Sequence, residues 1–251
     1  MEKDGPLIQM RGICKNYGGV TALKDVDLHL GRQEVLGLVG DNGAGKSTLI
    51  KILTGAIAPD QGEILMDGKK VKITHPKDSQ KLGIQAIYQD LSLVGTFDPP
   101  SNLFLGKEII KRRFGLFPVL DKKEMLKEGL RTLREELMID IPNPYNSVNK
   151  LSGGQQQAVA IGRAIYSKAK VIIMDEPTAS LGVEECEKII ELIKRLKTQD
   201  CSVIVISHNM EHIFSVCDRV LILRHGEIVG DRLVPDCSTT EIVSYITGAK
   251  G

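Results

Sequence analysis

A chain of 251 residues with 42% hydrophobic content is long enough to bury a full core, as one large domain or as a domain carrying a subdomain. Its 33 basic and 32 acidic residues leave a formal net charge of +1, which argues against a bulk nucleic-acid binder, normally a markedly basic domain. The charged start MEKDGPLIQM lacks an apolar signal core, and no stretch approaches the roughly 20 apolar residues of a membrane span, so a soluble cytoplasmic chain is expected.

Residues 7–14 and 21–30 have the composition of strands around the turn Tyr17-Gly18-Gly19, and 34–39 follow as a third. With 62–66 and its turn Asp67-Gly68, these early strands suggest an antiparallel layer. An apolar stretch, 84–88, leads into residues 90–150, which lose strand character and gain Pro99, Pro100, Pro118, Pro142 and Pro144 with a helical piece over 121–137. They are expected to form a helical insert. Beyond it, 171–174 and 203–206 are continuous apolar runs separated by an amphipathic helix over 184–198, the pattern of buried parallel strands with crossover helices. The expected fold is α/β: a core with a mixed or parallel sheet, an N-terminal antiparallel β layer and an inserted helical subdomain. The core is expected over 1–89 and 151–251 and the insert over 90–150, with the helix that opens at 152 continuing to about 167. The cysteines, Cys14, Cys186, Cys201, Cys217 and Cys237, have no metal-ligand spacing and are expected to be core thiols in a reducing compartment.

The chemistry starts at Gly40-Asp41-Asn42-Gly43-Ala44-Gly45-Lys46-Ser47, which fits GxxxxGK[ST] between a strand ending at Val39 and a helix opening at Lys46. That context makes the core a P-loop NTPase: backbone N–H groups cradle phosphates, Lys46 reaches the β/γ-phosphates and Ser47 offers a hydroxyl to Mg²⁺. Thr48 stands where a dinucleotide GxGxxG needs its third glycine, so that reading fails. Asp175 ends an apolar strand, where a Walker-B aspartate holds Mg²⁺, and Glu176 beside it can polarise water. His208 follows the next strand: it either helps position that water or caps the following helix. Gln89, at the passage into the insert, has an amide able to reach Mg²⁺ or the water. Ser152-Gly153-Gly154 ahead of alanine, valine and isoleucine at helical spacing is a second helix start suited to an anion.

A P-loop, a glutamine after a strand, Leu151-Ser152-Gly153-Gly154-Gln155, an apolar strand ending in Asp175-Glu176-Pro177-Thr178 and a histidine after the next strand, in this order, resemble the ATP-binding cassette ATPases of transporters across essentially the whole chain. The resemblance implies ATP and Mg²⁺ as ligands and Tyr17 as the aromatic that stacks on adenine, with Thr48 among the phosphate contacts. It also implies head-to-tail pairing of two copies, so that ATP on one P-loop is closed by the partner's LSGGQ. The two phosphate sites of one chain then serve two different nucleotides. Gly182 departs from the aspartate common at its position, and with Val183 looks like the variant of monosaccharide-importer cassettes.

YQDLSLV at 88–94 and SNLFLGKE at 101–108 are similar to the insert of bacterial ribose, xylose and fructose importers. That implies a homodimer on the inner face of the cell membrane beneath a pair of permease subunits, served indirectly by a sugar-binding protein, with no nucleic-acid partner. The basic run Lys111-Arg112-Arg113 lies either near the anionic membrane face or on a merely solvated surface. An exporter or lipid-handling cassette shares every ATPase motif and differs in the insert, while soluble cassettes of repair or translation typically add a coiled coil or a second cassette.

Overall fold

The computed structural model describes residues 5–113, 117–179 and 181–249. From the N-terminus, β1 (Ile8–Tyr17) and β2 (Val20–Leu30) form a hairpin, and β3 (Val35–Val39) runs through the P-loop into α1 (Lys46–Leu53). β4 (Gln61–Met66), β5 (Lys69–Val71), α2 (Pro76–Lys81) and β6 (Ile84–Ile87) follow, then α3 (Pro99–Leu103), β7 (Ile110–Arg113), β8 (Phe117–Leu120) and α4 (Lys122–Arg131). The second half comprises α5 (Gly153–Tyr166), β9 (Val171–Asp175), α6 (Val183–Thr198), β10 (Ser202–Ile206) and α7 (Met210–Val216), then β11 (Arg219–Arg224), β12 (Glu227–Leu233) and α8 (Thr239–Thr247). The chain divides into two compact units, 1–86 with 169–177 and 193–251, and 87–168 with 178–192. The second reaches beyond the 90–150 expected for the insert, taking in α5 and the first part of α6.

In the first unit, β2-β1-β4-β5 make an antiparallel sheet, and β12-β11-β3-β10-β9-β6 make a mixed sheet whose β11, β3, β10 and β9 run parallel. Grouping 34–39 with the antiparallel layer needs correction: β3 is a central strand of the mixed sheet, between β11 and β10. Its five residues are all buried, the mark of a strand covered on both faces, whereas β2 alternates buried Leu28 and Leu30 with exposed neighbours. One core joins both sheets to the buried face of α1, with Leu23, Leu38, Leu49, Ile50, Ile173, Ile204 and Leu223 among its members.

The second unit packs α5 against α3, with Phe104 and Tyr166 edge to face at 4.4 Å between centroids. Buried Asn102 holds the approach to α3 by accepting Val94 N–H at 2.7 Å and donating to Val94 O at 3.1 Å. The insert is not wholly helical. β7 and β8 form an antiparallel hairpin within it, and Lys111 and Arg112 of the basic run lie on its first strand, with Lys111 paired to Asp121 at 3.1 Å. Pro118 is tolerated there because a two-stranded ribbon leaves edge positions that need no N–H donor. The helical piece expected over 121–137 is α4 continued by a π turn over Thr132–Glu136.

Candidate active site

β10 lies between β3 and β9 with Ile206 in register with both Leu38 and Asp175, so three parallel strands end together. That brings the P-loop after β3, Asp175-Glu176 after β9 and Ser207-His208 after β10 to one carboxyl edge, the place where open α/β sheets bind ligands.

The loop's glycines are required by shape. Gly40, Gly43 and Gly45 have φ of +151°, +82° and +111°. A Cβ on Gly40 would collide with the Leu223 carbonyl, and one on Gly45 would lie 2.7 Å from Ala22 O. Gly45 caps α1 in the left-handed conformation without any side-chain acceptor, which leaves the first N–H groups of the helix to a ligand. Lys46 Nζ donates to Gly40 O at 2.6 Å and Asp41 O at 2.9 Å. Asp41, Asn42, Gly43 and Ser47 are exposed along this rim, with Thr48 half-buried behind it. Burial lowers the Lys46 pKa, opposed by the negative charges of Glu176, Asp41 and Asp175. Asp175 is pushed up by burial and then by like-charged Glu176, with Lys46 opposing. No hydrogen bond reaches its carboxylate among the described residues. A half-buried carboxylate without a hydrogen-bond donor is a hard oxygen ligand suited to Mg²⁺, whose shell phosphates and water complete. The described residues hold no cluster of three or more His, Cys, Asp and Glu able to hold a metal alone.

Glu176 is the most constrained member. Its φ is +52°, and its N–H donates to Ile206 O at 2.8 Å. Its carboxylate accepts from Ser207 Oγ at 3.2 Å and His208 N–H at 3.0 Å, and lies 2.8 Å from His208 Nδ1. The cap of α7 is Asn209, which accepts His212 N–H at 3.2 Å, so the capping alternative for His208 falls. Sequence reasoning missed Ser207. It ties Glu176 to Asn209, whose N–H it accepts at 3.1 Å, and its only signal was its place between a buried strand and His208. Tyr17 ends β1 with its side chain 49% exposed and Lys15 Nζ 5.8 Å from the ring centroid, so a flat face is free to stack.

Gln89 and 151–155 belong to the second unit. Gln89 is exposed two residues after β6. Ser152 caps α5 in a reciprocal box: its Oγ accepts Gln155 N–H at 3.3 Å and Gln155 Oε1 accepts Ser152 N–H at 3.1 Å. Leu151 accepts Gln156 Nε2 on its carbonyl at 3.1 Å, Gly153 is exposed and Gly154 buried.

A family model described as "ABC transporter" matches residues 23–179. The chain belongs to the ABC transporter family. It is an ATP-binding, ATP-hydrolysing cassette. It is 42% identical over 96% of its length to a xylose/arabinose import ATP-binding protein of Sulfolobus acidocaldarius, covering 94% of that relative. It is 41% identical over 98% of its length to a fructose import ATP-binding protein of Rhizobium meliloti, covering 95% of it. A ribose import ATP-binding protein of Caldanaerobacter subterraneus subsp. tengcongensis is also 41% identical over 97% of the cassette, which spans 48% of that longer chain. Among solved structures, the ADP conformation of an ATP-binding cassette of an ABC transporter superposes with a TM-score of 0.80 at 25% identity, over 97% of this chain and 95% of that one. A dimeric post-hydrolysis cassette bound to ADP and Pi gives 0.74 at 26% identity, over 90% and 98%. No helix among the described residues is long and apolar enough to cross a membrane.

Proposed function

We propose that this cassette hydrolyses ATP to drive import of a monosaccharide, as a head-to-tail pair of copies on the inner membrane face, beneath permease subunits that receive sugar from a binding protein. Near-full-length likeness to xylose/arabinose and fructose import proteins supports the substrate class, and the dimeric cassette among the structural relatives supports the pairing. The convergence of Lys46, Asp175, Glu176 and His208 at one sheet edge is the observation that carries the chemistry.

Water attacks the γ-phosphorus, the bond to the β-bridging oxygen breaks, and ADP and phosphate leave. Glu176 takes the water's proton and His208, held at 2.8 Å from Oε1, keeps that carboxylate aimed. Lys46 leaves the Gly40 and Asp41 carbonyls for the β/γ-phosphates, and the amides of 40–48 cradle the rest. Ser47, Asp175 and Gln89 would hold Mg²⁺, which when bound neutralises phosphate charge. Tyr17 stacks on adenine, and Leu151, Ser152, Gly153, Gly154 and Gln155 close the partner's nucleotide.

The test is uptake. Cells lacking this gene are assayed with labelled ribose, xylose, arabinose and fructose, then complemented with wild type or Glu176→Gln. Loss of one of these activities, restored by wild type alone, is the expected result. Undiminished uptake of all four with a lost export activity would overturn the importer reading.

A further inference from the structure

β7 and β8 pair as a two-stranded ribbon, packed chiefly against each other. Its base is anchored: Asp121 N–H donates to Ile109 O at 2.7 Å, and the Asp121 side chain caps α4 by accepting Glu124 N–H at 3.3 Å. The strands themselves are uncovered. Ile110 is 61% exposed, Phe117 66% and Leu120 48%, and an apolar set gathered on one small element, rather than scattered singly, marks a contact surface. Cross-strand partners share a face, as do residues two apart along a strand. One face therefore sets Ile110 beside Leu120 with Arg112 next along, and the other sets Lys111 beside Val119 with Phe117 next. Both faces join apolar side chains to a cation.

The charge around the ribbon is mostly of one sign. Residues 107–123 hold six basic side chains against two acidic ones, in a chain whose net charge is only +1. Both acids are engaged locally: Glu108 accepts Gly106 N–H at 3.0 Å, and Asp121 pairs with Lys111 at 3.1 Å besides capping α4. Lys107, Arg112, Lys122 and Lys123 are exposed and have no ion pair among the described residues. Exposed apolar groups flanked by unpaired cations on long aliphatic stems match a lipid surface, where stems and ring enter the headgroup boundary while the charges stay at the phosphates. A protein partner is the poorer fit, because three of these four cations are lysines, a residue depleted from protein interfaces. We infer that the β7–β8 hairpin is a direct membrane contact: it lays Ile110, Phe117 and Leu120 into the headgroup layer of an anionic bilayer, with Arg112 and the flanking lysines against its phosphates. This rests on the reading that places the cassette at a membrane face, and it adds lipid as a second anchor beside the permease.

The experiment is co-sedimentation of the full chain with vesicles of phosphatidylcholine, alone or mixed equally with phosphatidylglycerol. No permease is present, so the outcome is independent of sugar uptake. Wild type should partition onto the mixed vesicles, far less onto phosphatidylcholine, and should leave them at high salt, where charge attraction is screened. Lys107→Gln combined with Arg112→Gln should weaken partitioning about tenfold or more, at roughly fivefold per cation near an anionic surface. Phe117→Ser should weaken it too while leaving the salt dependence in place. Lys69→Gln combined with Lys72→Gln removes the same net charge from the other unit and should leave partitioning as in wild type. Melting and ATP hydrolysis in solution should stay at the wild-type level in every variant; if Phe117→Ser does not fold, the Lys107/Arg112 variant decides. Absence of partitioning, equal binding to both vesicle types, equal loss in the Lys69/Lys72 variant, or binding lost only together with folding overturns the inference. A hairpin that crosslinks to the permease while the chain ignores lipid assigns the patch to a protein partner and overturns it as well.

Discussion

Glu176 Oε1 receives the backbone N–H of His208 at 3.0 Å and lies 2.8 Å from its Nδ1, so one carboxylate oxygen meets two nitrogens of the same residue. The imidazole is the exposed partner, its side chain 82% accessible against 18% for Glu176. The glutamate is held in a left-handed backbone, which costs a non-glycine residue about 1–2 kcal/mol, and that cost is met by Ile206, Ser207 and His208 together. The arrangement fixes a carboxylate at the sheet edge that also carries the P-loop.

Glu176→Gln should keep that backbone and its N–H bond to Ile206 while removing the proton acceptor. Nucleotide affinity should stay close to wild type, and turnover should fall about 10²-fold or more, the usual worth of a general base. Single-turnover hydrolysis alongside fluorescent-nucleotide binding separates the two effects. Turnover within about threefold of wild type would remove Glu176 from the role, since so small a change is too little for a base.

Lys46 and Gly45 should fail differently from Glu176. Lys46→Ala removes the cation that spans the Gly40 and Asp41 carbonyls, and ATP affinity should drop about tenfold or more, as expected for loss of a charged phosphate contact, with hydrolysis falling as well. Gly45→Ala puts a Cβ 2.7 Å from Ala22 O at φ +111°, so the loop must shift and binding should suffer while far-ultraviolet circular dichroism stays native. Unchanged nucleotide affinity in Lys46→Ala would count against the P-loop assignment.

The legible parts of this fold were those where sequence spacing and local geometry coincide. GDNGAGKS between an apolar strand and a helix places its glycines where φ is positive, and a buried run ending in Asp175 can stop only at a sheet edge. The position of β3 was not legible. A short apolar run fits an antiparallel layer or a buried parallel strand equally well, and only pairing with β10 and β11 decides. The β7–β8 hairpin stayed hidden because Pro118 speaks against a strand unless the strand is an edge. Ser207 was missed for another reason: it acts through a partner distant in sequence, Glu176.

The thiols give a prediction about pH. Burial pushes Cys201 up to about 12 and Cys217 higher still, while Cys14 and Cys237 are partly exposed. Thiolate is the reactive form, so iodoacetamide at pH 8 should label Cys14 and Cys237 in the native cassette and all five cysteines after unfolding, as read by mass spectrometry. The same raised values have a stability consequence. An unfolded thiol ionises near 8.5, whereas native Cys201 holds its proton to about 12, so the unfolded state binds fewer protons between these values and stability falls as pH rises through the window. Urea midpoints measured from pH 8 to 11 should decline, and Cys201→Ala should flatten the decline. Native labelling of Cys217 at pH 8 would contradict its burial.

Closure of each nucleotide by the partner's signature turn can be tested by crossing two lesions. One chain carries Lys46→Ala and its partner Ser152→Arg, which adds bulk and charge where a phosphate must approach. If sites are shared between chains, one composite site loses both halves and the other keeps an intact P-loop and an intact turn, so closure and some hydrolysis should survive. Placing both lesions on one chain opposite a wild-type partner damages one half of each site, and activity should collapse. If each chain closed its own site, the wild-type partner would be self-sufficient and the singly altered pair would be dead. Heterodimers purified through two different tags, assayed by single-turnover hydrolysis and ATP-dependent closure against mutant homodimers, distinguish the cases. Closure matters as a readout because strict coupling between two sites mutes hydrolysis in a half-active pair, whereas sedimentation still registers the one intact site. An active double-mutant/wild-type pair beside a dead Lys46/Ser152 pair would end the shared-site reading.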